Sequence, residues 1–282
     1  MENVSVIGAG LMGSQIAMCA ALAGFKVFLH DVDEDQLSNG QNQLFIQIEK
    51  YIAKGMLTLE QVEKAKQNLI LETSLSEAVG QAELVIEAVV EDLTLKRELF
   101  QQLDKLTPPE TILATNSSMI GSSMLASYTN RPDKVCNIHF FNPVFIMSVV
   151  EVVKGAHTSD ETAKTAVDFV KRMNKTPLLL KKEITGFIAN RILGKIMEEA
   201  MFLLEAGIAT VEEIDLACTK ALNHPIGPFA LMDLTGLDTA YAIQKTQFEL
   251  EEDAKQPSSL LKQKLDYGQL GRKTGQGFYT YQ

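Results

Sequence analysis

Residues 4–15 read VSVIGAGLMGSQ, and their reading decides the fold. Val4 to Ile7 is a short apolar run. Gly8, Gly10 and Gly13 follow at G-x-G-x-x-G spacing, and a small-residue helical pattern extends from Leu11 to Ala23. Glycines between a strand and a helix carry far more information than the spacing alone. The first permits a tight turn, the second lets a pyrophosphate approach the backbone, and the third lets helix and strand pack closely. A helix start also offers free N–H groups and partial positive charge to phosphates. Gly8, Ala9, Gly10, Leu11, Met12 and Gly13 are therefore the candidate cradle for a dinucleotide. Lys26 to Asp31 (KVFLHD) reads as the second strand, and Asp31 stands 18 residues beyond Gly13. A carboxylate there would take both ribose hydroxyls and repel a 2′-phosphate, with no cation at Val32 or Asp33 to offset it. The pattern favours NAD over NADP. A glycine turn of purely structural use is the competing reading, outweighed by strand, helix and Asp31 together.

Helical patterns cover Gln36 to Gly55 and a segment opened by a Thr58/Gln61 capping box, an inserted hairpin over about 36–68. Apolar runs recur at Leu84–Glu87 (LVIE), Ile112–Thr115 (ILAT), Lys134–Phe141, Ser148–Val153 and Leu178–Leu180, with a helix over Leu93–Leu106. Strands alternating with helices predict an α/β domain, a Rossmann-type doubly wound and largely parallel sheet. After Lys182 strand candidates almost vanish. Helices are expected over Phe187–Ala206, Thr210–Leu222 (opened by a Thr210/Glu213 capping box) and Pro228–Glu252, before a glycine-rich tail ending GFYTY. The boundary falls near Lys181–Thr185, giving a dinucleotide-binding domain over 1–183 and an all-helical domain over 184–282.

Composition fits two domains. The chain has 282 residues, 46% hydrophobic, and 26 basic against 36 acidic side chains give a net charge of −10. An acidic balance argues against a nucleic-acid or anionic-membrane binder, while a local basic patch for a phosphorylated small molecule stays compatible. Cys19, Cys136 and Cys218 are sparse and in no metal-ligand spacing, so they read as reduced core thiols, with no metal expected. Asn3 to Phe25 carries no charge, as a leader or membrane span would. Glu2, four glycines and polar Ser5, Ser14 and Gln15 argue against that, and a cytoplasmic location is expected.

Of the four histidines, His30 precedes Asp31, His157 lies in a polar loop and His224 in a turn before Pro225. His139 differs: it is embedded in NIHFFNPV, and Glu151 follows 12 positions later in VVEVV. If these runs pair as a hairpin around Pro143–Met147, the two side chains stand opposite on one face. An imidazole held by a buried carboxylate is a base of fixed tautomer, and general-base assistance is worth roughly 10²–10⁴-fold. A core histidine neutralised by its glutamate is an equally good reading of the residues alone. Ser117 and Ser118, after the strand Ile112–Thr115, could donate to a substrate oxygen or cap the next helix. Glu91 and Lys96 follow the strand Leu84–Glu87, and spacing alone favours a solvated helix N-terminus for them. Asn190 in TGFIANRI opens the first helix of the second domain.

GAGLMGS, EAVVEDLTLKRELF, ATNSS, NIHFFNPV, VEVV, TGFIANRI, NHPIGPFALMDLTGLD and GRKTGQGFY, in this order across the whole chain, resemble the L-3-hydroxyacyl-CoA dehydrogenase family, in particular its stand-alone bacterial members acting on 3-hydroxybutyryl-CoA. The resemblance implies an NAD-binding domain, a helical domain that forms a homodimer, and an acyl-CoA substrate between them. It implies His139 as catalytic base, Glu151 as its orienting partner, Ser118 on the substrate oxygen and Asn190 at the thioester end. Asn142 would meet both nicotinamide and substrate. Glu91, Lys96 and Lys273 would join Gly8, Gly10, Gly13 and Asp31 at the cofactor, and Lys54 would contact coenzyme A. The chain departs from the family pattern at Phe145, Ser148, Thr185 and Gln47, which bears on the acyl pocket and not on the reaction. The length leaves no room for a hydratase domain, so a single-function dehydrogenase is expected. Two other readings stand beside it: a related dehydrogenase of a free sugar acid, gulonate-type, and a cofactor-binding protein without catalysis.

Overall fold

In the computed structural model, β1 (Asn3–Ile7) ends at Gly8 and α1 (Leu11–Leu22) starts three residues after Gly8, as the glycine spacing requires. The structure describes residues 1–250 and 255–281. The chain divides into two units, Met1–Phe187 and Ile188–Gln282.

In the first unit β2 (Lys26–His30) is followed by the helical pair α2 (Glu34–Ala53) and α3 (Leu59–Asn68). Asp33 caps α2, and the Thr58/Gln61 capping box opens α3 as the sequence indicates. The chain continues through β3 (Leu69–Glu72), α4 (Leu75–Val79), β4 (Leu84–Glu87), α5 (Leu93–Leu106), β5 (Ile112–Thr115) and α6 (Ser123–Ala126). It ends with β6 (Val135–Phe140), β7 (Val149–Val153), α7 (Asp160–Arg172) and β8 (Thr176–Leu180). The eight strands form one sheet in the order β3-β2-β1-β4-β5-β6-β7-β8. Every neighbouring pair is parallel except β6 and β7, which run antiparallel. The sequence reading gives no range for β3, α4, α6 or α7. The strand β3 is only four residues long and abuts α3 without a turn, so it lacks a period of its own. The helix α7, capped by Ser159, occupies the stretch between β7 and β8 to which no element was assigned.

Alternation along the strands supplies both faces. Val4, Val6, Leu84, Ile86, Ile112, Ala114, Cys136 and Ile138 pack with α1 on one side. Val85, Leu113 and Val135 pack with Phe100, Leu103 and Leu125 on the other.

The second unit comprises α8 (Ala189–Glu205), α9 (Val211–Lys220), α10 (Pro228–Thr235), α11 (Leu237–Leu250) and α12 (Ser259–Asp266). Its capping box at Thr210/Glu213 is present. The single helix expected over Pro228–Glu252 is two helices, and Glu251 and Glu252 lie outside the described residues. The break is Gly236, whose φ of 100° lies far from helical values. The short helix α12 was not anticipated. Two buried carboxylates clip the GFYTY tail in place. Asp233 accepts the Phe278 and Tyr279 amides and the Tyr281 hydroxyl, and Asp215 accepts the Tyr279 hydroxyl and the Phe229 and Ala230 amides.

Cys19 and Cys136 are buried, and burial pushes each thiol up to about 12. Cys218 departs from the core-thiol expectation: it is only half-buried, though burial and Asp215 still raise its thiol. Titration of the native protein with a disulfide reagent at pH 8 is expected to label Cys218 slowly and the other two only after denaturation. Rapid native labelling of all three would contradict this packing.

Candidate active site

The order of β1 to β6 reverses between β1 and β4, and ligands of open α/β sheets bind outside the carboxyl ends at that switch point. Both strands deliver candidate residues there. At Gly8, φ is 104° and an added Cβ would lie 2.7 Å from the Ala88 carbonyl oxygen across the crevice. At Gly13 it would lie 1.8 Å from the Gly8 oxygen, so helix and loop touch through backbone alone. Gly10 differs, with no heavy atom within 4 Å of an added Cβ; space is left there for a ligand. Gly10 caps α1 without a side-chain bond, and the first turn has no acidic residue. The turn's N–H groups and dipole are thus available to an anion, and the residues fit a dinucleotide pyrophosphate. Asp31 Oδ2 accepts the Ala9 amide at 2.9 Å, so this carboxylate also braces the glycine loop. The helix α2 crosses the loop so closely that a Cβ on Gly40 would meet the Ala9 oxygen at 2.2 Å. Gly40 is not singled out by the sequence reading, since a glycine inside a helical pattern is often tolerated without such a contact.

Below the β4 end lies a polar cluster. Glu87, fully buried, takes the Lys96 ammonium at 2.5 Å, the Val89 amide at 2.8 Å and the Thr115 hydroxyl at 2.7 Å. Lys96 also reaches Glu91 at 3.3 Å and the Val89 carbonyl at 3.4 Å. The solvated-terminus reading therefore holds for exposed Glu91 but not for Lys96, which is 1% exposed. Desolvating an ammonium requires a buried partner, and that partner, Glu87, was not singled out in the sequence. Its signal was a carboxylate ending an otherwise apolar strand.

The two serines separate in role. Ser117 donates its hydroxyl to Glu91 and accepts the Met119 and Ile120 amides, capping the turn. Ser118 instead places its hydroxyl 2.8 Å from His139 Nε2. His139 stands opposite Glu151 in the β6–β7 register, and its Nδ1 lies 2.8 Å from Glu151 Oε2. With Glu151 accepting from Nδ1–H, Nε2 is left to accept from the Ser118 hydroxyl. The Phe141 and Phe187 rings lie 4.6 and 5.4 Å from the imidazole and screen it from water. Asn142, exposed in the turn after β6, accepts from Gln15 Nε2 at 3.4 Å, while Gln15 Oε1 accepts the Val144 amide at 2.8 Å. The sequence reading uses this buried glutamine on α1 only as a polar residue arguing against a membrane span.

Lys54 is exposed at the C-terminal cap of α2. One helical face above it, Gln36, Asn39, Gln43 and Gln47 line a cavity of about 220 Å³ with Ala9, Gly10 and other residues of the first unit. Gln47 Oε1 is buried without a hydrogen-bond partner. Phe145 packs on Tyr51 of α2 at 5.1 Å. In the second unit, Asn190 sits in the first turn of α8. Lys273 binds both carboxylate oxygens of Asp238 at 2.6 Å and holds that carboxyl below its ordinary range.

A dinucleotide cradle and a Ser–His–Glu chain on neighbouring strand ends define the class: a nicotinamide-dependent oxidoreductase. Residues 3–184 match the model of the 3-hydroxyacyl-CoA dehydrogenase NAD-binding domain, and residues 186–281 that of the 3-hydroxyacyl-CoA dehydrogenase C-terminal domain. The chain is 38% identical to a probable 3-hydroxybutyryl-CoA dehydrogenase of Bacillus subtilis, covering 100% of this chain and 98% of that one. It is similar to the crystal structure of (S)-3-hydroxybutyryl-CoA dehydrogenase PaaH1 from Ralstonia eutropha, with a TM-score of 0.92 and 35% identity over 100% of this chain and 99% of the other. A diketoreductase described in the dual catalysis of dicarbonyl compounds matches with a TM-score of 0.89 and 36% identity, again over 100% and 99%. The chain belongs to the 3-hydroxyacyl-CoA dehydrogenase family, and its cofactor is NAD.

Gly10→Ala separates ligand from scaffold. Its added methyl touches no protein atom, so stability should change by no more than about 1 kcal/mol, the scale of an N-cap effect. NADH affinity, read by fluorescence titration, is expected to fall about tenfold, some 1.4 kcal/mol. Unchanged affinity would mean that no ligand approaches Gly10.

Proposed function

We propose that this chain catalyses the reversible, NAD-dependent oxidation of an (S)-3-hydroxyacyl-CoA, 3-hydroxybutyryl-CoA foremost, to the 3-ketoacyl-CoA. The Ser118–His139–Glu151 chain, 2.8 Å at each link, carries this reading. In the oxidative direction His139 Nε2 removes the hydroxyl proton while Ser118 Oγ orients the same oxygen. Glu151 fixes the tautomer and stabilises the imidazolium that forms. In the reductive direction Nε2–H and the Ser118 hydroxyl both donate to the ketone oxygen. NAD, when bound, would supply the acceptor for the hydride leaving C3, and would return it in the reductive direction. Gly8 to Gly13 and Asp31 would hold its pyrophosphate and ribose, and the family resemblance assigns Glu91, Lys273 and Asn142 to the same cofactor. Lys96 serves it from beneath through Glu91. Asn190 takes the thioester end of the substrate.

Coenzyme A is supported by Lys54, a cation for its phosphates, and by Gln47. A buried carbonyl oxygen lacking a donor inside the protein suits a ligand N–H, and the pantetheine arm carries amides. The second unit is read as the dimer surface, since Ile192, Phe202, Leu216 and Leu222 are large, apolar and exposed. A cytoplasmic location is part of the reading. Among the described residues no helix is long and apolar enough to cross a membrane. The diketoreductase relative keeps one alternative open, a dicarbonyl substrate without coenzyme A.

NADH consumption with acetoacetyl-CoA, run beside acetoacetate and beside NADPH, tests the reading. Fast turnover of the thioester with NADH is expected, and turnover of free acetoacetate alone would favour the alternative. His139→Gln should lower kcat roughly 10²–10⁴-fold; full activity in the folded variant would exclude the base role. Gln47→Met removes the orphan acceptor at similar volume. It should raise KM for acetoacetyl-CoA about tenfold, near 1.4 kcal/mol, with kcat kept. An unmoved KM would take the pantetheine out of that cavity.

A further inference from the structure

We propose that Asn137 is a positioning residue that sets Ser118 against His139 by fastening the backbone on both sides of that serine. The proposal rests on the dehydrogenase reading above. On β6 the side chains alternate: Cys136, Ile138 and Phe140 enter the core on the α1 face, so Val135, Asn137 and His139 share the other. Asn137 is fully buried in a run whose neighbours are apolar. Its Oδ1 accepts the Ser122 amide at 2.7 Å, and its Nδ2 donates to the carbonyls of Ile120 at 3.1 Å and Ser117 at 3.4 Å. One amide side chain thus grips the Ser118 segment immediately before and shortly after Ser118.

Most other side-chain holds on this segment come from elsewhere. Glu91, in the loop after β4, takes Ser117 and Met119, and Glu183, beyond β8, takes the hydroxyl of Ser122 and the amide and hydroxyl of Ser123. Asn116 meets the Phe140 amide at 3.0 Å and ties the segment's start to β6. Asn137 differs from all of these in its placement. It projects from the strand and face that carry His139, two residues away. The Ser118-to-His139 distance is thereby referred to one rigid strand, and not to the sum of several loops. A catalytic group misplaced by about 1 Å can cost on the order of 100-fold in rate.

A purely structural asparagine would weaken the loop wherever it is measured; a positioning residue acts through Ser118. A double-mutant cycle separates them. Asn137→Ala is expected to lower kcat with acetoacetyl-CoA about 10- to 100-fold, leaving KM and NADH affinity within about threefold. In a Ser118→Ala background the same substitution should cost less than about threefold. Asn137→Asp, equal in size, keeps the acceptor for Ser122 and loses both donors, and should show the same dependence on Ser118 at smaller amplitude. Equal losses in both backgrounds, or none in either, overturn the proposal, as does failure of both variants to fold. A crystal structure of Asn137→Ala gives an arm independent of turnover. The Ser118 Oγ to His139 Nε2 distance should open from 2.8 Å to beyond hydrogen-bond reach, and an unchanged distance refutes the positioning role. Wild-type protein that turns over no acyl-CoA would refute the dehydrogenase reading alone, with this structural arm still deciding Asn137.

Discussion

A carboxylate with no solvent exposure needs a partner of fixed geometry, and Glu151 is such a carboxylate. Its partnership with His139 spans the single antiparallel pairing in an otherwise parallel sheet. The reversal matters. A tight return through Pro143–Met147 puts two residues close in sequence directly opposite each other, which a parallel crossover cannot do. A one-residue slip of β7 would turn Glu151 to the other face and bring Val150 or Val152 opposite the imidazole. The apolar residues alternating with them, Ile138 and Phe140 against Val150 and Val152, are buried in one core, so the hydrophobic effect enforces the register that sets His139 against Glu151.

The same division of labour extends along the sheet edge. Apolar side chains fill both faces of β4 and β5 and the α1 face of β1 and β6, while buried polar groups at or near the carboxyl ends hold the segments around them. Glu87 holds Lys96 and Thr115, Asn116 holds the Phe140 amide, and Asn137 holds the Ser118 segment. Such networks are strong when complete and costly when any member is missing. They leave the crevice backed by fixed dipoles, the preorganised surroundings that charge development during hydride transfer calls for.

These networks mark the limit of what the sequence conveys. Local signals survived folding intact: the glycine spacing, the boundaries of α5 and β5, both capping boxes and the His139–Glu151 pairing depend on contacts near in sequence or on a simple alternation. Long-range satisfaction left almost no trace. Nothing in LVIE says that Glu87 will neutralise a lysine nine residues on, nor in NIHFF that Asn137 will reach 20 residues back to Ser117. The Gly236 break is of the same kind. A glycine inside a helical pattern is often tolerated, and only its φ of 100° reveals the end of one helix and the start of another.

Two of the departures from the family pattern, Phe145 and Gln47, lie against or on α2. Phe145 stacks on Tyr51, and Gln47 lies one helical turn before Tyr51 on α2. Here the turn after β6 is held by Phe145 and by Lys175, whose ammonium donates to the Val144 and Met147 carbonyls at 2.5 and 2.9 Å. Burial pushes the Lys175 pKa down, so these charge-assisted bonds carry a desolvation cost that a merely decorative contact would not bear. The turn that carries Asn142 and the helix that lines the amide-rich cavity are therefore one packed unit, joined through aromatic contact and through Gln15. Phe145 and Gln47 both belong to that packing, whereas the His139–Glu151 pair is held by the β6–β7 register.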